Sequence, residues 1–115
     1  MKLLIVDDNA HMRRLLCSVL RGVAAQTVEC ADGCDARAAY DAHRPDWVLM
    51  DIGMTRMDGL TATAQITAAH PEARVLILTN HDSDSLREAA ARAGARSYVL
   101  KENLIEVRRL LQTTA

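Results

Sequence analysis

The sequence predicts an α/β domain: a parallel sheet with helices on both faces. Two observations carry this. Short apolar runs recur along the chain, LLIV at 3–6, WVLM at 47–50 and VLIL at 75–78. Runs without polar alternation suit strands buried on both faces. Between them lie segments whose apolar residues repeat at helical spacing, so that strand and helix alternate five times over. Such alternation calls for parallel strands joined by right-handed crossovers.

The elements follow in order. After the first strand, Met12, Leu15, Leu16, Val19, Leu20 and Val23 form one helical stripe. TVECA at 27–31 reads as a weaker strand nearer a sheet edge, and residues 33–44 as a short alanine-rich helix stopped before Pro45. Leu60, Ala64 and Ala68 mark the third helix, closed by His70-Pro71. Leu86, Ala89, Ala90 and Ala93 mark the fourth, with Gly94 as its C-cap. SYVL at 97–100 is a second edge-ward strand. Asn103 with Glu106 then resembles a capping box ahead of Leu104, Val107, Leu110 and Leu111.

The totals exclude several classes. A chain of 115 residues, half of them hydrophobic, is read as one domain, 1–115. With one Trp, two Tyr and no Phe, its core must come from Leu, Val, Ile, Met and Ala. A net charge of -1, with basic residues spread along the chain, argues against nucleic-acid binding. No segment approaches the ~20 apolar residues that span a bilayer. MKLLIVDDNA meets two aspartates too soon for a signal peptide, so the expected location is cytoplasmic. Cys17, Cys30 and Cys34 read as small hydrophobes; Cys30 and Cys34 have loose metal-ligand spacing, but no second Cys/His pair completes the set.

The strand runs share a polar carboxyl edge. The first ends in Asp7 and Asp8, the third in Asp51, the fourth in Thr79, Asn80 and His81, and the fifth in Lys101. Taken singly, each has an ordinary reading: Asp8 as a helix N-cap, Asp58 as a turn former, Thr79 as a strand end, Lys101 as a solvated lysine. Their joint placement points elsewhere, because open α/β sheets bind ligands beyond the carboxyl ends of their strands. Clustered carboxylates repel and call for compensating charge. Oxygen-only ligands select a hard cation such as Mg²⁺, which often joins carboxylates to phosphate.

LLIVDDN, VLMDIGMTRMDGL, VLILTNHD and GARSYVLK, in this order, resemble the response-regulator receiver domain of two-component signalling along the whole chain. TNHDSD and GARSYVLKE look most similar to receivers that precede helix-turn-helix output domains. The resemblance implies a flavodoxin-like (βα)5 fold with strand order 2-1-3-4-5. It implies Asp51 as the phosphoacceptor, with Asp8, Asp51 and the Gly53 backbone carbonyl as Mg²⁺ ligands and Asp7 acting through a metal-bound water. Lys101 would pair with Asp51 and then with phosphoryl oxygens, Thr79 would donate its hydroxyl to the phosphoryl group, and Tyr98 would change rotamer as Thr79 moves. The implied partners are a sensor histidine kinase and a downstream protein or the chain's own output domain, without direct nucleic-acid or membrane contact. Partner or homodimer contacts are expected on the face of the fourth helix, fifth strand and fifth helix, although some relatives associate through the first and fifth helices.

Three positions depart from the family's pattern. Thr55 replaces its usual proline, so the loop after Asp51 is expected to be less rigid. Glu102 also stands where many members have proline. The Lys101–Glu102 bond is therefore expected to be trans, since a non-proline cis bond costs roughly 2.5–4 kcal/mol. Asn80 is larger than the residue usual there and, with His81, would modulate access to the phosphoryl group. Other readings fit less well. DIGMT resembles the signature of haloacid-dehalogenase-type phosphatases, but Gly53 occupies the place of their general acid. A flavin site would want hydroxyls and glycines where DDNAHM places two acids. A receiver cut from a longer DNA-binding regulator is the remaining alternative.

Overall fold

The computed structural model describes residues 1–54 and 56–113. The apolar runs are strands: β1 (Lys2–Val6), β2 (Gln26–Cys30), β3 (Trp47–Asp51), β4 (Val75–Thr79) and β5 (Ser97–Leu100). They form one sheet, parallel at every pairing, in the order β2-β1-β3-β4-β5. The weaker strands β2 and β5 are its edges. Helices α1 (Ala10–Val19), α2 (Ala36–His43), α3 (Gly59–Ala69), α4 (Asp84–Arg92) and α5 (Leu104–Thr113) connect or follow the strands, and a 3-10 turn at Gly33–Asp35 precedes α2.

Strand residues alternate between two cores, which is why the runs need no polar residues. Leu4, Val6, Val48, Met50, Val75 and Ile77 pack with Ala36, Tyr40, Ala62, Ile66 and Ala90 on the α2–α4 side. Leu3, Ile5, Leu49, Leu76 and Leu78 pack with Leu16, Leu20, Val107 and Leu111 on the α1/α5 side. Burying one such Leu, Ile or Val side chain stabilises the fold by about 1.5–3 kcal/mol.

Several local expectations are corrected. α1 ends at Val19, where the Leu20 N–H caps it by donating to the Leu16 carbonyl (3.0 Å), so Val23 packs from beyond the helix. Leu15, read as part of the buried stripe, is 39% exposed. The expected helix at 33–44 begins as the 3-10 turn and becomes α-helical only at Ala36. In α3 the phase differs: Gly59, Ala62, Thr63 and Ile66 are buried, while Ala64 and Ala68 face solvent. This helix is rich in alanine and threonine on every side, so its composition does not select a face. Gly94, at φ 99°, closes α4 as expected. The Ala95 and Gly94 N–H groups donate to the Ala90 and Ala91 carbonyls, both at 3.0 Å, as in a Schellman cap. At α5 the Glu106 carboxylate pairs with Arg109 on its own helix.

The three cysteines are free, Cys17 and Cys30 half-buried and Cys34 exposed. The expectation about Thr55 lies outside the described residues. All described peptide bonds are trans, Lys101–Glu102 included.

Candidate functional site

β1 and β3 are adjacent, but the chain leaves them for opposite faces of the sheet, which opens a crevice at their carboxyl ends. There a cavity of about 400 Å³ is lined by Asp7, Asp8 and Asn9 from the β1–α1 turn and by Asp51, Ile52 and Gly53 from β3 and its loop; Thr79, Asn80, His81 and Lys101 close its other side. The two aspartates after β1 differ. Asp7 is buried, whereas Asp8 is exposed.

Backbone contacts aim these groups. Asp51 is the last residue of β3, held opposite Leu78 of β4, and Thr79 is the last of β4. The Lys101 N–H donates to the Thr79 carbonyl at 2.8 Å, which brings the lysine to the sheet edge. Its Nζ lies 3.0 Å from both Asp7 Oδ2 and Asp51 Oδ1. The Asn9 N–H donates to Asp7 Oδ1 at 2.9 Å. The Thr79 hydroxyl oxygen, nearly buried, accepts the His81 N–H at 3.2 Å.

The electrostatics follow from burial and crowding. Burial pushes the Asp51 carboxyl above its ordinary range; the Lys101 hydrogen bond pulls it down, and the Asp7 charge pushes it up again. For Lys101, burial is the largest influence and acts downward, but hydrogen bonds and charge from Asp51 and Asp7 outweigh it and leave the ammonium held above its usual value. Oxygens of Asp7, Asp8 and Asp51 all lie within 4.8 Å of one another. Asp7 Oδ2 is buried, and the Lys101 ammonium 3.0 Å away is its ion-pair partner. One ammonium against three carboxylates leaves uncompensated negative charge around hard oxygen donors. That donor set fits a Mg²⁺-like cation.

The ordinary reading of Asp8 fails: the N-cap of α1 is Asn9, whose Oδ1 accepts the Met12 N–H at 3.1 Å. Asp8 is thus left with no role in closing the helix. Asp58 does cap α3, accepting the Thr61 N–H at 2.8 Å. Tyr98 stands outside the cavity. Its hydroxyl donates to the His81 carbonyl at 2.6 Å, and the Arg87 guanidinium stacks 4.5 Å from its ring centroid.

Two residues at the site escaped the sequence reading. Asn9 carried a visible signal, a good capping residue just ahead of the apolar stripe. Arg13 carried none. Its Nη1 donates to the Asp7 carbonyl at 2.7 Å while its Nε pairs with Glu29 at 3.0 Å, the second contact existing only once β2 lies beside β1.

Strand order and carboxyl edge together define a doubly wound α/β domain with a cation-binding type of crevice at its switch point. Residues 3–114 match the response regulator receiver domain, and the chain belongs to that family. It is 36% identical over 102 residues to the chemotaxis protein CheY of Listeria monocytogenes, covering 88% of this chain and 86% of that protein. It is also 36% identical to the oxygen regulatory protein NreC of Staphylococcus haemolyticus, of which it spans only 48%. A LuxR-family DNA-binding response regulator from Staphylococcus aureus superposes with a TM-score of 0.87 at 25% identity, covering 97% of this chain and 96% of that one. Receiver domains are signalling modules of two-component systems rather than classical enzymes, and they bind Mg²⁺ at an acidic pocket. Among the described residues no helix is long and apolar enough to cross a membrane.

Proposed function

We propose that residues 1–115 act in the cytoplasm as a phosphoacceptor receiver, with Asp51 taking a phosphoryl group from the phosphohistidine of a sensor kinase. The observation that carries this reading is the Lys101 ammonium, 3.0 Å from both Asp7 and Asp51 in an acidic crevice. A carboxylate oxygen of Asp51 attacks phosphorus; the P–O bond forms as the P–N bond breaks, and the electron pair leaves on the imidazole nitrogen. Phosphoryl transfer needs in-line positioning and neutralisation of charge on the equatorial oxygens.

Asp8, Asp51 and the Gly53 carbonyl would hold Mg²⁺, with Asp7 reaching it through water. When bound, Mg²⁺ would supply the positive charge that Lys101 alone cannot. Lys101 moves its donors from Asp51 to the phosphoryl oxygens. The Thr79 hydroxyl donates to the same group, while Asn80 and His81 restrict water at the mouth. In the resting state Tyr98 is held by the His81 carbonyl and Arg87. Displacement of Thr79 gives its ring a second place to pack and alters the face of α4, β5 and α5 for a downstream protein, an output domain or a second copy.

Incubation with Mg²⁺ and acetyl or carbamoyl phosphate should add one acid-labile phosphoryl group by mass spectrometry, and Asp51→Asn should abolish it. Equal labelling of that variant would refute the assignment. On addition of beryllofluoride, NMR shifts should spread from the crevice into residues 82–111. Shifts confined to the loops around Asp8 and Asp51 would dismiss the Thr79–Tyr98 coupling, because a bound group moves an equilibrium only through differential contacts in its two states.

A further inference from the structure

The loop after Asp51 is held from across the sheet by a residue outside the crevice. Asp32, in the turn after β2, is only 6% exposed. Its Oδ2 accepts the Arg56 N–H at 2.9 Å, and its Oδ1 accepts the N–H groups of Met57 at 3.1 Å and Cys34 at 3.0 Å. One carboxylate thus caps its own 3-10 turn and clamps a segment 24–25 residues further on. These three donors are backbone amides. These amides, with Arg56 and Cys34 foremost, hold the Asp32 carboxyl down at about 2, so the clamp is fully ionised at neutral pH.

Gly33 makes the approach possible. A Cβ there would lie 2.6 Å from the Met57 carbonyl oxygen, closer than such atoms come. The other end of the loop is tied at its neck, where the Gly59 N–H donates to the Ile52 carbonyl at 2.8 Å. Between neck and clamp lies Gly53, which lines the crevice and has open space around the position of its missing side chain. A Cβ there would meet nothing within 4 Å, and neck and clamp bracket the residue on either side.

We infer that Asp32 is a positioning residue for cation binding: by holding the Arg56 and Met57 amides it sets the place of the Gly53 carbonyl. The inference rests on the proposed role of the acidic crevice. In Asp32→Asn an NH₂ replaces one of the two accepting oxygens and faces an amide donor, so at least one long-range bond is lost. Supporting groups of this kind typically change metal affinity by 10–100-fold.

Mg²⁺ titration of the whole chain by calorimetry, at a temperature where both proteins are fully folded, should show Asp32→Asn binding about tenfold more weakly. Ile66→Val, a mild core change remote from the loop, should lower stability and leave Mg²⁺ affinity unchanged. Wild-type affinity in Asp32→Asn would overturn the positioning role while leaving the receiver reading intact; absence of Mg²⁺ binding by wild type would overturn both. Should Asp32→Asn fail to fold, hydrogen exchange of wild type in EDTA decides the question. The Arg56 and Met57 amides should be protected, and exchange at the rate of an open loop would refute the clamp.

Discussion

The two ends of the sheet treat their charged groups differently. Near the amino edge, polar and charged groups find partners where they stand, with their carboxylates about half or more in solvent. His70 Nε2 meets Asp41 at 2.6 Å and Arg44 meets Glu72 at 3.8 Å, while Asp46 accepts the Lys2 backbone N–H at 2.7 Å. At the carboxyl edge three aspartates converge and share Lys101, with Asp7, Asp51 and Lys101 itself withdrawn from water. The first arrangement needs nothing more to be stable. The second is electrostatically incomplete, and the missing component is positive charge from outside the chain.

Removing Lys101 should sharpen this contrast most. Lys101→Met leaves Asp7 and Asp51 buried and uncompensated, and breaking a buried pair costs about 3 kcal/mol or more. The matching change at the other edge, Asp41→Asn, weakens a contact whose carboxylate is half in solvent and should cost about 1 kcal/mol or less. Urea melts of both variants in EDTA measure the difference, and comparable losses would erase it.

Next comes the ligand. Mg²⁺ binds the folded site and not the unfolded chain, so it should stabilise wild type by roughly 2.7 kcal/mol at a hundredfold excess over its dissociation constant. Asp8→Asn should show a much smaller response and slower phosphorylation. Two unit charges ~4 Å apart repel by about 4 kcal/mol at an effective dielectric near 20. Solvent around the exposed Asp8 screens most of this, so the variant should gain about 1 kcal/mol in EDTA. A variant no more stable than wild type in EDTA, with an unchanged Mg²⁺ response, would remove Asp8 from the site.

The smallest effect is a dependence on pH. Because the Asp51 carboxyl is raised in the fold, the folded protein keeps a proton that the unfolded chain has already released. The associated stability is complete below the ordinary aspartate range and is lost as pH rises through the raised value. Asp51→Asn cannot ionise and should exceed wild type in stability at neutral pH, by a margin that the Lys101 ammonium reduces. The advantage should fade on acidification below the ordinary aspartate range. Melts between neutral and acid pH check the sign; an advantage that grew in acid would contradict it.

The strand–helix alternation and the polar residue closing each strand were legible in the chain alone. Both are local. A strand buried on two faces must be apolar throughout, and a carboxylate at its end reads the same in any context. Tertiary structure decided the rest. Asn9 rather than Asp8 caps α1, because capping depends on backbone angles that neighbouring residues of similar chemistry do not reveal. The buried face of α3 was chosen by what packs against it, since small residues surround that helix. Arg13 at the Asp7 carbonyl and Asp32 at the Arg56 and Met57 amides were invisible in advance. Their partners are backbone groups, 6 residues away for Arg13 and 24–25 for Asp32, and a backbone group carries no residue signature until the fold brings it into reach.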